Sequence, residues 1–207
     1  MKLRSFTTAL LSLASCLGFS QDTGGSWRTY RPNEELRISV LPHLTARSRD
    51  LDDVLLTSLD IIFHDPDICC GKNSALRDRA LAADPLSLQD VALKIQGRQL
   101  LSDGRPVQVN AEAVRLTPGL DISYKIIGTL KDDHALLMAW DSHLYVLYGA
   151  IYDEVYFSDS NSTAYMIRKL LLVDARFSDS RREVAFNRDT DDVGKVQGIL
   201  MLTVAPQ

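Results

Sequence analysis

The sequence predicts an α+β domain in which helices come first and an antiparallel sheet follows, and three observations carry that expectation. Apolar residues recur at mostly helical spacing over Leu51–Phe63. Residues 87–95 place Leu88, Val91, Ala92 and Ile95 on a single helical face, with Gly97 just beyond. From His134 onward the chain turns to short runs of apolar and aromatic strand formers separated by turn residues. With 207 residues, 45% of them hydrophobic and 24% charged, the chain is long enough for one domain with a real core and short for two.

The N-terminus reads as an export signal over residues 1–20. Lys2 and Arg4 supply positive charge, and residues 5–20 carry none while being rich in Leu, Ala and Ser. This stretch is too short for a comfortable membrane span and matches the charged and apolar regions of a signal. Small residues allow cleavage near Gln21. Leu13-Ala14-Ser15-Cys16 also resembles a bacterial lipobox, in which Cys16 would carry lipid. An exported, periplasmic or envelope-associated location follows from either. Residues 21–50 read as a lead-in segment, flexible over residues 21–34, and residues 51–207 as the functional domain.

Within that domain, Pro66 breaks the first helix and Asp67 is a good cap, so a second helix is expected to begin at Cys69 or Cys70 and to run to Ala83, ended by Asp84-Pro85. Residues 100–115 are mixed, with a turn at Asp103-Gly104. The alternation and Gly128 of residues 122–130 point to a strand. Strands are expected over residues 134–140, 143–149, 165–174 and 198–204, with turns at Asp141-Ser142 and residues 158–162.

Charge removes several function classes. The formal net charge is −4, the charges are well mixed, and no basic stripe with interleaved aromatics exists to hold nucleic acid. No apolar run of about eighteen residues follows the signal, so no transmembrane span is expected in the mature chain. Glycine-rich phosphate loops are absent, so no cofactor is implied. His64, Cys69, Cys70, His134 and His143 lack metal-ligand spacing, and adjacent cysteines make poor tetrahedral ligands.

Once the signal is removed or Cys16 is lipidated, Cys69 and Cys70 remain. Adjacent cysteines do not make an ordinary disulfide staple, which leaves a reactive thiol, a vicinal disulfide or two buried thiols. A nucleophilic thiol needs its pKa lowered by a helix N-terminus, an imidazolium, or both. Cys70 is expected at a helix start, and Gly71 behind it leaves backbone N–H groups open to a substrate carbonyl. His143 opens a strand and is the candidate base, with His134 as the rival imidazole. Asp174 closes an apolar strand and is the candidate to hold the ring.

Several blocks resemble the bacteriocin-leader-processing (double-glycine) peptidases of the papain-like cysteine peptidase superfamily. Cys70-Gly71-Lys72-Asn73-Ser74-Ala75-Leu76 is similar to the family's Cys-Gly-Pro-x-x-Leu opening. Residues 86–97 resemble its second helix, which ends in glycine. Residues 134–140 and 142–150 resemble the strand pair that carries its histidine, and residues 170–175 its Asp-Pro strand. The likeness covers roughly residues 65–176, in order. It implies a papain-like fold, with the nucleophile at a helix start and helices packed on a C-terminal antiparallel sheet. It also implies a hydrolase that cleaves a peptide or isopeptide-like bond of a peptide or protein substrate through a thioester. Lys72 and Ala175 stand where the family has proline. His64 stands near the place of a glutamine that completes the family's oxyanion hole about six residues before the cysteine, which makes His64 the oxyanion candidate. That replacement also admits a catalytically silent papain-fold domain that binds a peptide or protein.

Overall fold

The computed structural model describes residues 27–38, 46, 48–63, 73–101, 104–115, 122–177, 181–186 and 195–206. The mixed α+β class holds: among the described residues four helices accompany an antiparallel sheet of eight strands. The strands are β1 (Arg28–Arg37), β2 (Gly97–Leu100), β3 (Pro106–Arg115), β4 (Leu136–Trp140), β5 (His143–Phe157), β6 (Ser162–Val173), β7 (Arg181–Ala185) and β8 (Val196–Pro206). They lie in the order β2-β3-β8-β4-β5-β6-β7, and β1 pairs with β5.

Helix α1 (Leu51–Phe63) forms where the periodicity places it, with Asp52 and Asp53 in the first turn facing the positive helix end. It buries Val54, Leu55, Leu59 and Ile61 completely and packs on β5 and β4. Helix α3 (Leu88–Ile95) starts at the Ser87 cap, whose hydroxyl accepts from Asp90 N, and its Leu88, Val91, Ala92 and Ile95 stripe faces β3 and β8. Helix α2 (Ser74–Leu81) begins later than expected. Its cap is Asn73, in extended conformation, whose Oδ1 accepts from Leu76 N at 3.1 Å. Asparagine is among the strongest caps, and Leu76 and Ala80 are the apolar residues that this frame buries.

Three further expectations are corrected. Residues 122–130 are not a strand: α4 (Ser123–Lys131) covers them and buries Ser123, Ile126, Ile127 and Leu130. That spacing is helical, and space is open around Gly128, so no strand bulge is needed there. The lead-in is not all flexible, because β1 crosses it and pairs antiparallel with β5 from Arg28 opposite Phe157 to Arg37 opposite Gly149. Helices do not simply precede the sheet, since β1 comes before α1 and α4 lies between β3 and β4.

Strand β5 organises the sheet. Its first part pairs with β4, its second part with β1, and its other edge follows β6 from Val146 to Phe157. Gly149 sits where β4 gives way to β1. A Cβ there would collide with the Leu36 carbonyl and lie 2.8 Å from Leu171 Cδ1. Strand β4 is central, and Leu136, Leu137, Met138 and Ala139 are buried on both of its faces, as are residues 170–173 at the end of β6. Among the described residues no helix is long and apolar enough to cross a membrane.

Candidate functional site

The candidate base lies on the tightest turn of the sheet. Asp141 and Ser142 join β4 to β5 with φ of 49° and 60°, the left-handed pair that a two-residue hairpin requires. His143 follows and pairs with Trp140. Its half-buried ring makes a 2.6 Å hydrogen bond through Nδ1 to the Asp141 carbonyl oxygen. A carbonyl can only accept, so Nδ1 carries the proton. In the neutral ring Nε2 therefore keeps its lone pair and can take a proton from a nearby acid.

Asp174 stands at the same end of the sheet, because it follows Val173, the register partner of Val146 three residues into β5. Antiparallel pairing of β5 with β6 thus brings the expected strand-end aspartate beside the histidine strand. The rival His134 lies just before the other end of β4, where its N–H donates to Thr129 O at the close of α4. Of the two imidazoles, His143 shares an end with Asp174.

Asp174 is gripped by arginine. Its side chain is fully buried. Oδ1 accepts from the backbone N–H of Arg176 at 3.1 Å and from Arg176 Nε at 2.8 Å, and Oδ2 accepts from Arg176 Nη2 at 2.6 Å. Arg182 Nη2 is 3.9 Å away. Burial alone would push this carboxyl up, but the Arg176 hydrogen bonds and the charges of Arg176 and Arg182 hold it below the usual carboxylate range. The group that takes His143 Nδ1 is the Asp141 carbonyl, not this carboxylate.

Contacts nevertheless run from Asp174 towards the imidazole. The Arg176 guanidinium lies 5.9 Å from the centre of the Tyr145 ring, and that ring is 6.4 Å from His143. Arg176 also lies over Phe177, and Arg49 lies 5.4 Å from the centre of the same ring. Sequence reasoning passed over Arg176 and Tyr145. The signals were an arginine two residues beyond a buried aspartate, and Tyr145 on the same face of the strand as His143.

Cys69, Cys70 and His64 lie outside the described residues. In the sequence Cys70 precedes Asn73, the cap of α2, by three positions. Asn73 is buried, and its amide Nδ2 has no hydrogen-bond partner among the described residues. No group of three or more potential metal ligands occurs among the described residues.

A second buried carboxylate is structural. Asp153, 1% exposed, accepts from Tyr30 Oη at 2.8 Å, from Asn33 N at 3.0 Å and from Arg168 Nε at 2.9 Å. Asn33 has φ of 55° in the β1 irregularity between Arg31 and Glu34, which turns its amide towards Asp153. Burial pushes Asp153 up, and the Arg168, Asn33 and Tyr30 hydrogen bonds outweigh it and hold the carboxyl low.

Compared with protein-family models, curated proteins and solved structures, the chain matches none.

Proposed function

We propose that this chain is an exported cysteine hydrolase that cleaves a peptide or isopeptide-like bond, with Cys70 as nucleophile and His143 as base. The observation that carries the reading is the Nδ1 hydrogen bond of His143 to the Asp141 carbonyl, which leaves Nε2 as a proton acceptor at the sheet end that also holds Asp174. In this reading Nε2 takes the Cys70 thiol proton, and the thiolate adds to the substrate carbonyl carbon. The proton then passes to the leaving amine as the C–N bond breaks, leaving a thioester. Water, deprotonated by the same imidazole, hydrolyses the thioester and regenerates the thiol. Asp174 is a positioning residue here: it fixes Arg176, which packs on the Tyr145 ring beside His143. His64 remains the candidate oxyanion donor.

A second reading is a silent papain-fold domain that binds a peptide or protein. It is favoured by the engagement of Asp174 with Arg176 and by histidine at position 64.

Alkylation of the native protein by iodoacetamide across pH separates the two. The hydrolase reading expects fast labelling at Cys70 with an apparent thiol pKa well below the ordinary value of about 8.5. That labelling disappears in Cys70→Ala, persists in Cys69→Ala and returns to ordinary thiol behaviour in His143→Ala. Labelling of native Cys70 no faster than that of a free thiol would leave the binding-domain reading.

A further inference from the structure

A second surface, at the far end of β5 from His143, is built differently from the rest of the molecule. Aromatic residues make up 7% of the chain, yet Trp27, Tyr156, Tyr152, Tyr165 and Tyr124 gather on one side of the β1–β5–β6 region. The pairing explains how. Thr29 is opposite Tyr156, Arg31 opposite Glu154, and Glu154 opposite Tyr165. Paired residues share a face and alternate residues repeat it, so β1, β5 and β6 all present this set together.

The rings form two connected groups. Trp27 and Tyr156 lie 5.3 Å apart. Tyr165 lies 5.6 Å from Tyr152 and 6.2 Å from Tyr124 on α4. Trp27 is 46% exposed and Tyr124 69%. Glu154 joins the groups: it pairs with Arg31 at 3.9 Å and with Lys131 at 3.2 Å, and Lys131 Nζ sits 4.6 Å from the Tyr165 centroid and meets its hydroxyl at 3.0 Å. A cavity of about 230 Å³ opens beside them, lined by Trp27, Thr29, Arg31, Glu154 and Tyr156.

We infer that this aromatic face is a binding site for a neutral saccharide. Pyranose rings have apolar C–H faces that stack on indole and phenol rings, and a rim of hydroxyls that needs donors and acceptors at the ring edge. Trp27 and Tyr156 offer the stacking surface. Arg31, Glu154 and Thr29 supply the few convergent polar groups that fix orientation in such a pocket. Charge favours a neutral ligand over an ion. The cations Arg31 and Lys131 face Glu154, and Glu34 is the register partner of the neighbouring Tyr152, so two positive groups meet two negative ones. A ligand of either sign would have to break this balance, while hydroxyls can bridge it.

Trp27 provides the reporter. The chain has one other tryptophan, Trp140 at the end of β4, so Trp140→Phe leaves the fluorescence of Trp27 alone. Neutral tetrasaccharides of N-acetylglucosamine, glucose with β-1,4 links and glucose with α-1,4 links are titrated into this protein. A saturable change with at least one of them is expected. Calorimetry on the chain with both tryptophans should then show binding weakened at least about tenfold in Trp27→Ala, and also in Tyr124→Ala, whose exposed ring leaves the fold intact. The melting temperatures of both variants are measured alongside. If Trp27→Ala does not fold, Tyr124→Ala and Glu154→Gln decide. Absence of saturable binding to all three tetrasaccharides at millimolar concentration overturns the inference, as does binding that neither aromatic variant weakens. Tighter binding of oligogalacturonate, or binding of peptides alone, overturns the assignment to a neutral saccharide.

Discussion

Two buried carboxylates show what single residues contribute. Asp174 has no exposure and Asp153 almost none, and each is kept charged by an arginine that grips it through two nitrogens. Removing one partner of a buried pair leaves the other charge unpaid, so Arg176→Ala is expected to cost about 3 kcal/mol. Arg182 at 3.9 Å softens the loss, and Arg176→Lys should recover only part of it because an ammonium lacks the two-pronged geometry. Urea unfolding at neutral pH measures both. The sign of the pH effect follows from the depressed carboxyls. The unfolded chain binds more protons than the folded one, so stability rises with pH through the acid range. The contribution is complete above the unfolded carboxyl pKa of about 4 and is lost as pH falls through the lower folded values. Asp153→Asn should be less stable at neutral pH and lose less on acidification, as urea midpoints at neutral and acid pH would show. The sequence carried the positions of His143 and Asp174 because each stands beside an apolar strand run. It did not show Arg176 closing on Asp174, since that contact depends on how the chain turns after β6.

Among the elements, those specified by local signals were legible. Helix α1 follows from its apolar repeat, α3 from Ser87 and its stripe, and the β4–β5 hairpin from Asp141-Ser142 between two apolar runs. Helix α2 was legible in body but not in onset, because Asp67 and Asn73 are both good caps and Asn73 is the one that accepts from the helix. Helix α4 was misread, since Ile122, Ile126, Ile127 and Leu130 fit a helix while the glycine suggested a strand. Strand β1 gave no signal of its own: its residues are mostly exposed, and it exists by pairing with β5. That dependence is testable at Gly149. Gly149→Ala places a methyl group against Leu36 and Leu171, so β1 must shift, at an expected cost of about 1–3 kcal/mol. Amide exchange in residues 28–37 should accelerate much more than exchange in β4.

At the scale of the whole molecule, residues 1–20 predict that the protein isolated from its host begins at a lipidated Cys16 or near Gln21. Intact-mass measurement decides, and a soluble chain retaining Met1 would refute export. Because β1 covers the second half of β5, cleavage that removed residues 21–37 should expose that edge and promote association, visible by light scattering. The sequence by itself determined the α+β class, helices α1 and α3 with the body of α2, the strand character of residues 136–140, 143–149 and 165–173, and the candidacy of His143 and Asp174. These rest on periodicity, caps and turns, which act over a few residues. Only the tertiary structure decided that β8 inserts between β3 and β4, that β1 joins β5 across more than a hundred residues, and that Trp27 meets Tyr156. It also decided that the Asp141 carbonyl accepts the hydrogen bond of His143 Nδ1 while Asp174 accepts those of Arg176. Backbone pairing and buried charge are satisfied by whichever partners the fold brings near, and separation along the chain does not reveal those partners.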